Sequence, residues 1–106
     1  MERRRLGKTN EELSVIGFGG LAVRDMTPDE AAETVARAVK RGINYFDVAP
    51  SYGNAEERLG PALEPFRDDV FLACKTGQRD AAGAESDLHQ SLQRLRTDHF
   101  DLYQMH

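Results

Sequence analysis

Apolar and polar positions fall into short blocks along this chain, and the period of their alternation changes from block to block. "RRRLGKTNEELSVIGFGG", from Arg3 to Gly20, reads as two short extended pieces around a polar turn at Gly7 to Glu12, leading into a strand near Val15 to Phe18. "TPDEAAETVARAVKRG" then changes to helical spacing, with Ala31, Val35, Ala38 and Val39 on one face. Its ends carry the chemistry of helix termini: Thr27 as N-cap, Pro28 in the first turn, Glu30 three residues after the cap and Gly42 as terminator. "INYFDVA" is a strand, and Asn54 with Glu57 starts a capped second helix running to about Leu63, perturbed by Gly60 and Pro61. "DVFLACKT" is a core strand. A polar link leads to a helix from about Ala84 to Leu95, with Leu88, Leu92 and Leu95 as its core stripe, and "HFDLYQMH" reads as a further strand.

Strand and helix in regular succession imply a parallel sheet covered by helices. Two architectures compete, an open doubly wound sheet and a (β/α)8 barrel. "GFGG" at Gly17 to Gly20 resembles part of a dinucleotide-binding fingerprint but lacks the GxGxxG spacing, so it does not decide between them. Side-chain parity says more, because successive strand residues face opposite ways. Asp47 shares a face with Tyr45 and Ile43, Lys75 with Ala73 and Phe71, and His106 with Gln104 and Leu102. Each of these polar residues closes its strand. Parallel neighbours lie about 4.8 Å apart, so Lys75 is expected to reach both Asp47 and His106. Tyr52, in the loop leaving the second strand, is expected to fold back over the same point.

Composition narrows the field without choosing within it. The 106 residues are 40% hydrophobic and 30% charged, a folded rather than a disordered balance, with room for one domain or part of one. A net charge of -4 with both signs interspersed offers no basic stripe for nucleic acid. No apolar run approaches a membrane span, and "MERRRLGKTN" has no apolar segment behind its basic residues, so a cytoplasmic protein is expected. The single cysteine, Cys74, has the opposite parity to Lys75 and is assigned to the core; His89 and His99 are assigned to the surface, and no metal site is expected.

The strand-end residues suggest a specific chemistry. A free tyrosine has a pKa near ~10 and is a weak proton donor at neutral pH. A nearby cation favours the phenolate, and Lys75 is the basic residue at these strand ends. Asp47 would pair with that lysine, and His106 would supply a neutral donor to orient a carbonyl oxygen. Such an oxygen gains negative charge on receiving a hydride, which these groups would stabilise and protonate. Each residue has a plainer reading. Asp47 would serve as a helix N-cap, Lys75 as a strand-end charge reaching water, Tyr52 as a rim aromatic, and Gly17 to Gly20 as a turn that needs small residues.

At these residues the chain resembles the aldo-keto reductase family. "GINYFDVAPSYGNAEERLG" is similar to the family's GxxxFDTAxxYGxxExxLG pattern, with Val48 where threonine or serine is usual. "ACKT" resembles its lysine element, "SLQRLRTDHFDLYQMH" its SLxxLxxDxxDLxxxH stretch, and "RRLGKTNEELSVIGFGG" its amino-terminal hairpin and first strand. The resemblance implies an NADP(H)-dependent oxidoreductase that reduces an aldehyde or ketone on a (β/α)8 TIM barrel. It places Asp47, Tyr52, Lys75 and His106 on the catalytic tetrad, and Gly19, Gly20, Leu21 and Asp47 near the nicotinamide end of NADPH. A full barrel takes about 250 residues. Residues 1–106 are therefore expected to be the truncated amino-terminal half of such a domain, the first four β/α strands preceded by a β-hairpin. Its wet inner face and open edges suggest self-association. The alternative is a non-catalytic half-barrel fragment, or a relative that binds a cofactor or partner.

Overall fold

The structure, a computed structural model, describes every residue from Met1 to His106. Strand β1 (Arg3–Arg5) pairs antiparallel with β2 (Glu12–Ser14), in the register Arg3 to Ser14 and Arg5 to Glu12. The turn between them is closed by Thr9, whose hydroxyl donates to the Leu6 carbonyl at 2.6 Å and accepts from the Glu11 amide at 3.1 Å. The next strand, β3, occupies only Phe18–Gly19. The expected strand near Val15 to Phe18 is thus shorter and later. Val15 and Ile16 lie in the link from the hairpin, 46% and 56% exposed, because the ladder with β4 begins only at Phe18 and the Val15 amide instead donates back to the Glu2 carbonyl at 3.0 Å.

Helix α1 (Pro28–Lys40) begins on a full capping box, with the Glu30 amide donating to Thr27 Oγ1 at 3.1 Å and the Thr27 amide to Glu30 Oε1 at 3.3 Å. Its buried stripe is Ala31, Val35 and Ala38. Strand β4 (Tyr45–Asp47) follows, then helix α2 (Ala55–Leu63), strand β5 (Phe71–Thr76), helix α3 (Ala81–Leu95) and strand β6 (Leu102–Met105). Two helix expectations change. Asn54 occupies the N-cap position of α2, but its side chain makes no capping bond, being engaged by the Asp25 amide instead. Helix α3 starts at Ala81, three residues before the expected start. Of its leucines only Leu95 is buried, while Leu88 and Leu92 are half-buried and Ser91 takes the centre of the packed face.

The four parallel strands lie in chain order, β3-β4-β5-β6, with no crossover that skips a neighbour. All three helices pack on one face of this sheet, where Phe46, Val48, Leu72 and Cys74 meet Val35, Leu59 and Leu95 in one apolar cluster. A doubly wound sheet reverses its strand order and carries helices on both faces. Sequential strands covered on one side belong to a barrel wall, so the fold is a partial (β/α)8 barrel.

The uncovered face carries Tyr45, Phe71 and Ala73, and the hairpin residue Leu13 packs against them. Tyr45 and Phe71 meet edge-on, with centroids 5.7 Å apart. The hairpin is tied to the start of β4 by three bonds. Ser14 N donates to Asn44 Oδ1 at 2.7 Å, Asn44 N to Ser14 Oγ at 3.1 Å, and Asn44 Nδ2 to the Glu12 carbonyl at 2.9 Å. The hairpin therefore caps the amino-terminal end of the sheet and leaves the end bearing Asp47 open.

Two long-range devices set how α3 and β6 meet the rest. Arg67 donates to Thr97 Oγ1, to the carbonyls of Val70 and His99, and to Asp101 Oδ2 at 3.2 Å. Asp101 in turn accepts from the Leu72 amide at 2.8 Å, which fixes β6 beside β5. The second device is Gly60, where a Cβ would lie 2.7 Å from the Arg94 carbonyl oxygen and 2.8 Å from the Leu95 backbone. Helices α2 and α3 touch through the missing side chain. Because the obstruction is backbone, Gly60→Ala is expected to cost about 1–3 kcal/mol by overpacking. Urea midpoints check this, and an unchanged midpoint would mean that the helices slide apart freely.

Candidate active site

Parity and pairing bring the polar strand ends together on the uncovered face. Phe46 faces Leu72 across the β4–β5 ladder and Asp47 faces Ala73, so Lys75, two residues on, rises just above Asp47 on the same face. Lys75 Nζ donates to Asp47 Oδ1 at 2.7 Å. The lysine side chain is 9% exposed and the aspartate 36%, so the pair is buried on the cation's side and open on the anion's. Burial alone depresses an ammonium pKa. Here the hydrogen bond and charge of Asp47, with a smaller contribution from Tyr52, outweigh it and raise the Lys75 pKa above the ordinary lysine value. Lys75 is therefore a fixed cation at neutral pH.

Tyr52 lies over that cation, with Lys75 Nζ 5.4 Å from the ring centroid. The loop leaving β4 places it there by two tight turns, Tyr52 N to the Ala49 carbonyl at 3.2 Å and Ala55 N to the Tyr52 carbonyl at 3.0 Å. His106 follows β6 and continues its ladder, its amide donating to the Thr76 carbonyl at 2.9 Å. Its ring meets Tyr52 edge-on, with centroids 6.0 Å apart at 88°, and its Nδ1 lies 3.5 Å from Ser51 Oγ. The Arg79 guanidinium donates to the His106 carbonyl. The expectation that Lys75 reaches both Asp47 and His106 holds only for the aspartate. In the β5–β6 register Lys75 faces Gln104, and His106 lies beyond the last ladder pair, so the ammonium turns toward the carboxylate. Histidine joins the group through Tyr52 instead.

The three residues beside Asp47 differ among themselves. Gly19 pairs with Asp47 across the β3–β4 ladder, and nothing lies within 4 Å of where its Cβ would be. Gly20 is buried, and a Cβ there would meet Val48 Cγ2 at 2.7 Å and the Asp47 carbonyl oxygen at 3.1 Å. Its smallness serves close packing against β4. Leu21 is 48% exposed. Gly17, Phe18, Gly19, Tyr45 and Asp47 line an open cavity of about 220 Å³ on the uncovered face. No three histidine, cysteine or acidic side chains cluster closely enough to hold a metal ion. No helix is long and apolar enough to cross a membrane.

Behind the sheet lies a charged group that pattern reading passes over. Glu56 is 2% exposed and accepts from Arg94 Nη1 at 2.8 Å, with Cys74 Sγ 3.6 Å from its other oxygen. Ser91 Oγ and the Tyr103 hydroxyl, both buried, lack partners. Burial, followed by the charge of Glu56, pushes the Cys74 thiol up to about 12. Burial likewise raises Tyr103. His89 and His99 are exposed, each beside an acidic side chain.

Cys74, Lys75 and Tyr103 all have folded-state pKa values above their ordinary ones. Their contributions are complete below the unfolded values and are lost as pH rises through the folded ones. Stability is thus expected to hold to about pH 8, where an exposed thiol begins to ionise, and to fall above it. Cys74 alone, raised from 9.0 to about 12, withdraws on the order of 4 kcal/mol over that range. Urea midpoints across the alkaline range, with Cys74→Ala as the variant that flattens the slope, test this. A midpoint indifferent to pH would refute it.

Known proteins similar to this chain share its family and fold. The profile of the Aldo/keto reductase family matches residues 15–106. The uncharacterized oxidoreductase YqkF of Bacillus subtilis is 34% identical over an alignment 120 positions long, gaps included, covering 100% of this chain and 39% of that protein. L-galactose dehydrogenase of Arabidopsis thaliana is 33% identical over an alignment of 121 positions, covering 100% and 38%. The holo form of aldo-keto reductase AKR11C1 from Bacillus halodurans superposes with a TM-score of 0.83 at 34% identity, covering 100% and 38%. The chain thus spans under two-fifths of the length of these relatives. With the family profile over most of its length and a barrel wall that superposes throughout, the chain belongs to the aldo-keto reductase family.

Proposed function

We propose that residues 1–106 are the amino-terminal half of a reductase barrel that reduces an aldehyde or ketone with NADPH, with Tyr52 as the proton donor. The observation that carries this reading is Lys75 Nζ, held at 2.7 Å from Asp47 and 5.4 Å from the centre of the Tyr52 ring. The residues present fit a nicotinamide. Gly19 leaves open space beside Asp47, next to the 220 Å³ cavity, where a side chain would intrude. Gly19, Gly20, Leu21 and Asp47 are the residues of this chain that would hold that end of the cofactor, which supplies the hydride when bound.

The chain's own residues handle the proton. Tyr52 gives its hydroxyl proton to the substrate oxygen as charge develops there. The Lys75 ammonium stabilises the phenolate left behind, and Asp47 keeps that ammonium in place. With its proton on Nε2, His106 accepts from Ser51 at Nδ1 and presents an N–H to orient the carbonyl.

The isolated chain is the natural comparison with the complete reductase. Holding reactants in register accounts for about 7–11 kcal/mol of a barrier, and the family resemblance implies that most contacts to the cofactor would come from residues other than these. The complete protein is expected to reduce carbonyl compounds with NADPH. The isolated chain is expected to show trace activity and weak NADPH binding, and to self-associate through its uncovered face. Turnover assays, fluorescence titration and light scattering check this. A monomer that binds NADPH tightly would show a self-sufficient half. A complete protein without reductase activity would favour the non-catalytic, partner-binding alternative.

A further inference from the structure

Tyr52 stands one residue before a junction between two loops. Asn54 sits at the start of α2, yet its Oδ1 accepts from the Asp25 amide at 2.8 Å, across 29 residues of chain. One turn further along the same helix, Arg58 Nε donates to the Met26 carbonyl at 2.6 Å. Asp25 has a φ of 66°, one of two non-glycine residues in the left-handed region. An aspartate tolerates that conformation at some cost, so its surroundings hold it there. Between Tyr52 and Asn54, Gly53 has a φ of 58°, and a Cβ on it would lie 3.0 Å from Arg24 Cδ. The Arg24 side chain therefore lies across the backbone next to Tyr52.

The segment clamped in this way, Arg24 to Met26, ends the loop that starts at Gly19 and Gly20 beside Asp47. We propose that Asn54 and Arg58 are positioning residues, and that their bonds to Asp25 and Met26 lock the β3–α1 loop to the Tyr52 loop and so set the tyrosine relative to whatever Gly19 and Gly20 hold. An N-cap asparagine that only stabilised α2 would bond its own helix's amides, and Asn54 does not. A residue that only closed the β3–α1 loop would need no connection to the helix that follows Tyr52. The clamp joins the two, and its parts fall on consecutive backbone positions, an amide at Asp25 and a carbonyl at Met26.

The inference rests on Tyr52 as the donor, so the test carries a Tyr52→Phe arm. In the complete reductase, Asn54→Ala is expected to lower kcat by about tenfold or more, since a displacement of about 1 Å can cost on the order of a hundredfold. Asn54→Asp keeps an acceptor oxygen for the Asp25 amide and is expected to recover most of that loss. Amide exchange at Asp25 is read alongside, and is expected to be slow in the parent and Asn54→Asp but fast in Asn54→Ala. Thermal melts give the folded fraction to which kcat is normalised. Should Asn54→Ala fail to fold, Arg58→Ala, which removes only the donor to Met26, carries the same comparison. Parental kcat in the alanine variant, with Tyr52→Phe inactive, overturns the clamp alone. Parental turnover in Tyr52→Phe overturns the donor assignment. Loss of kcat unrelieved by Asn54→Asp, with Asp25 still protected, also overturns the clamp.

Discussion

Tyr52→Phe is expected to lower the turnover of the complete reductase by about 10²–10⁴-fold, the range that positioned proton transfer supplies. The change removes one oxygen and leaves the ring. The contacts of the ring, Lys75 Nζ at 5.4 Å and the His106 ring at 6.0 Å, do not depend on the hydroxyl. Lys75 also keeps its own partner at 2.7 Å, so no charge is stranded. NADPH affinity is therefore expected to stay close to the parent's, and the loss should appear in kcat and in single-turnover rate alike. A fluorescence titration beside steady-state kinetics separates the two. If the phenylalanine variant turned over at the parental rate, the proton would come from another group.

Lys75 and Asp47 were legible as neighbours because strand parity and parallel order are local rules. Three residues of β4 and six of β5 were enough to put both side chains on one face. The same rule did not foresee where the ammonium would turn, since that depends on register, and register places Lys75 opposite Gln104. The capping box of α1 was readable from four residues. Apolar content alone misplaced the first strand. Val15 and Ile16 look like strand core but lie outside the parallel sheet, Val15 bonding back to Glu2 of the hairpin, and β3 is held to two residues by its ladder with Phe46 and Asp47.

Long-range polar contacts were invisible for a simpler reason. Glu56 sits beside Glu57 and Arg58 and reads as part of a solvated face. It is buried because α2 packs on α3, whose Arg94 is 38 residues away. Asn54 reads as a cap because its type and place suit one, and its true partner is 29 residues back in the chain. Arg67 gives no signal at all in the sequence, although it fastens the start of β6. The chemistry at the strand ends follows from spacing. The supports that hold it follow from which helix meets which.

Arg94→Met should be strongly destabilising, at about 3–5 kcal/mol in the complete protein. Glu56 is 2% exposed, and Arg94 Nη1 at 2.8 Å is its charged partner; the other contact is the thiol of Cys74, a weak donor. Methionine fills much of the arginine's volume and leaves the carboxylate without a counter-charge, in a place water does not reach. The cost is that of an unpaired buried anion, far above the worth of a surface ion pair. If that is the cause, removing the charge should reverse it. Glu56→Gln combined with Arg94→Met is expected to regain a large share of the lost stability, although Glu56→Gln alone takes from the arginine its shortest charged contact and gains nothing. The guanidinium is 33% exposed and also bonds Gln90, so it suffers less from losing its partner than the carboxylate does. Arg94→Met should accordingly cost more than Glu56→Gln, an asymmetry that urea denaturation of the two single variants and the double variant can read. Equal costs for the two, or no recovery in the double variant, would mean that the arginine acts through its packing rather than its charge.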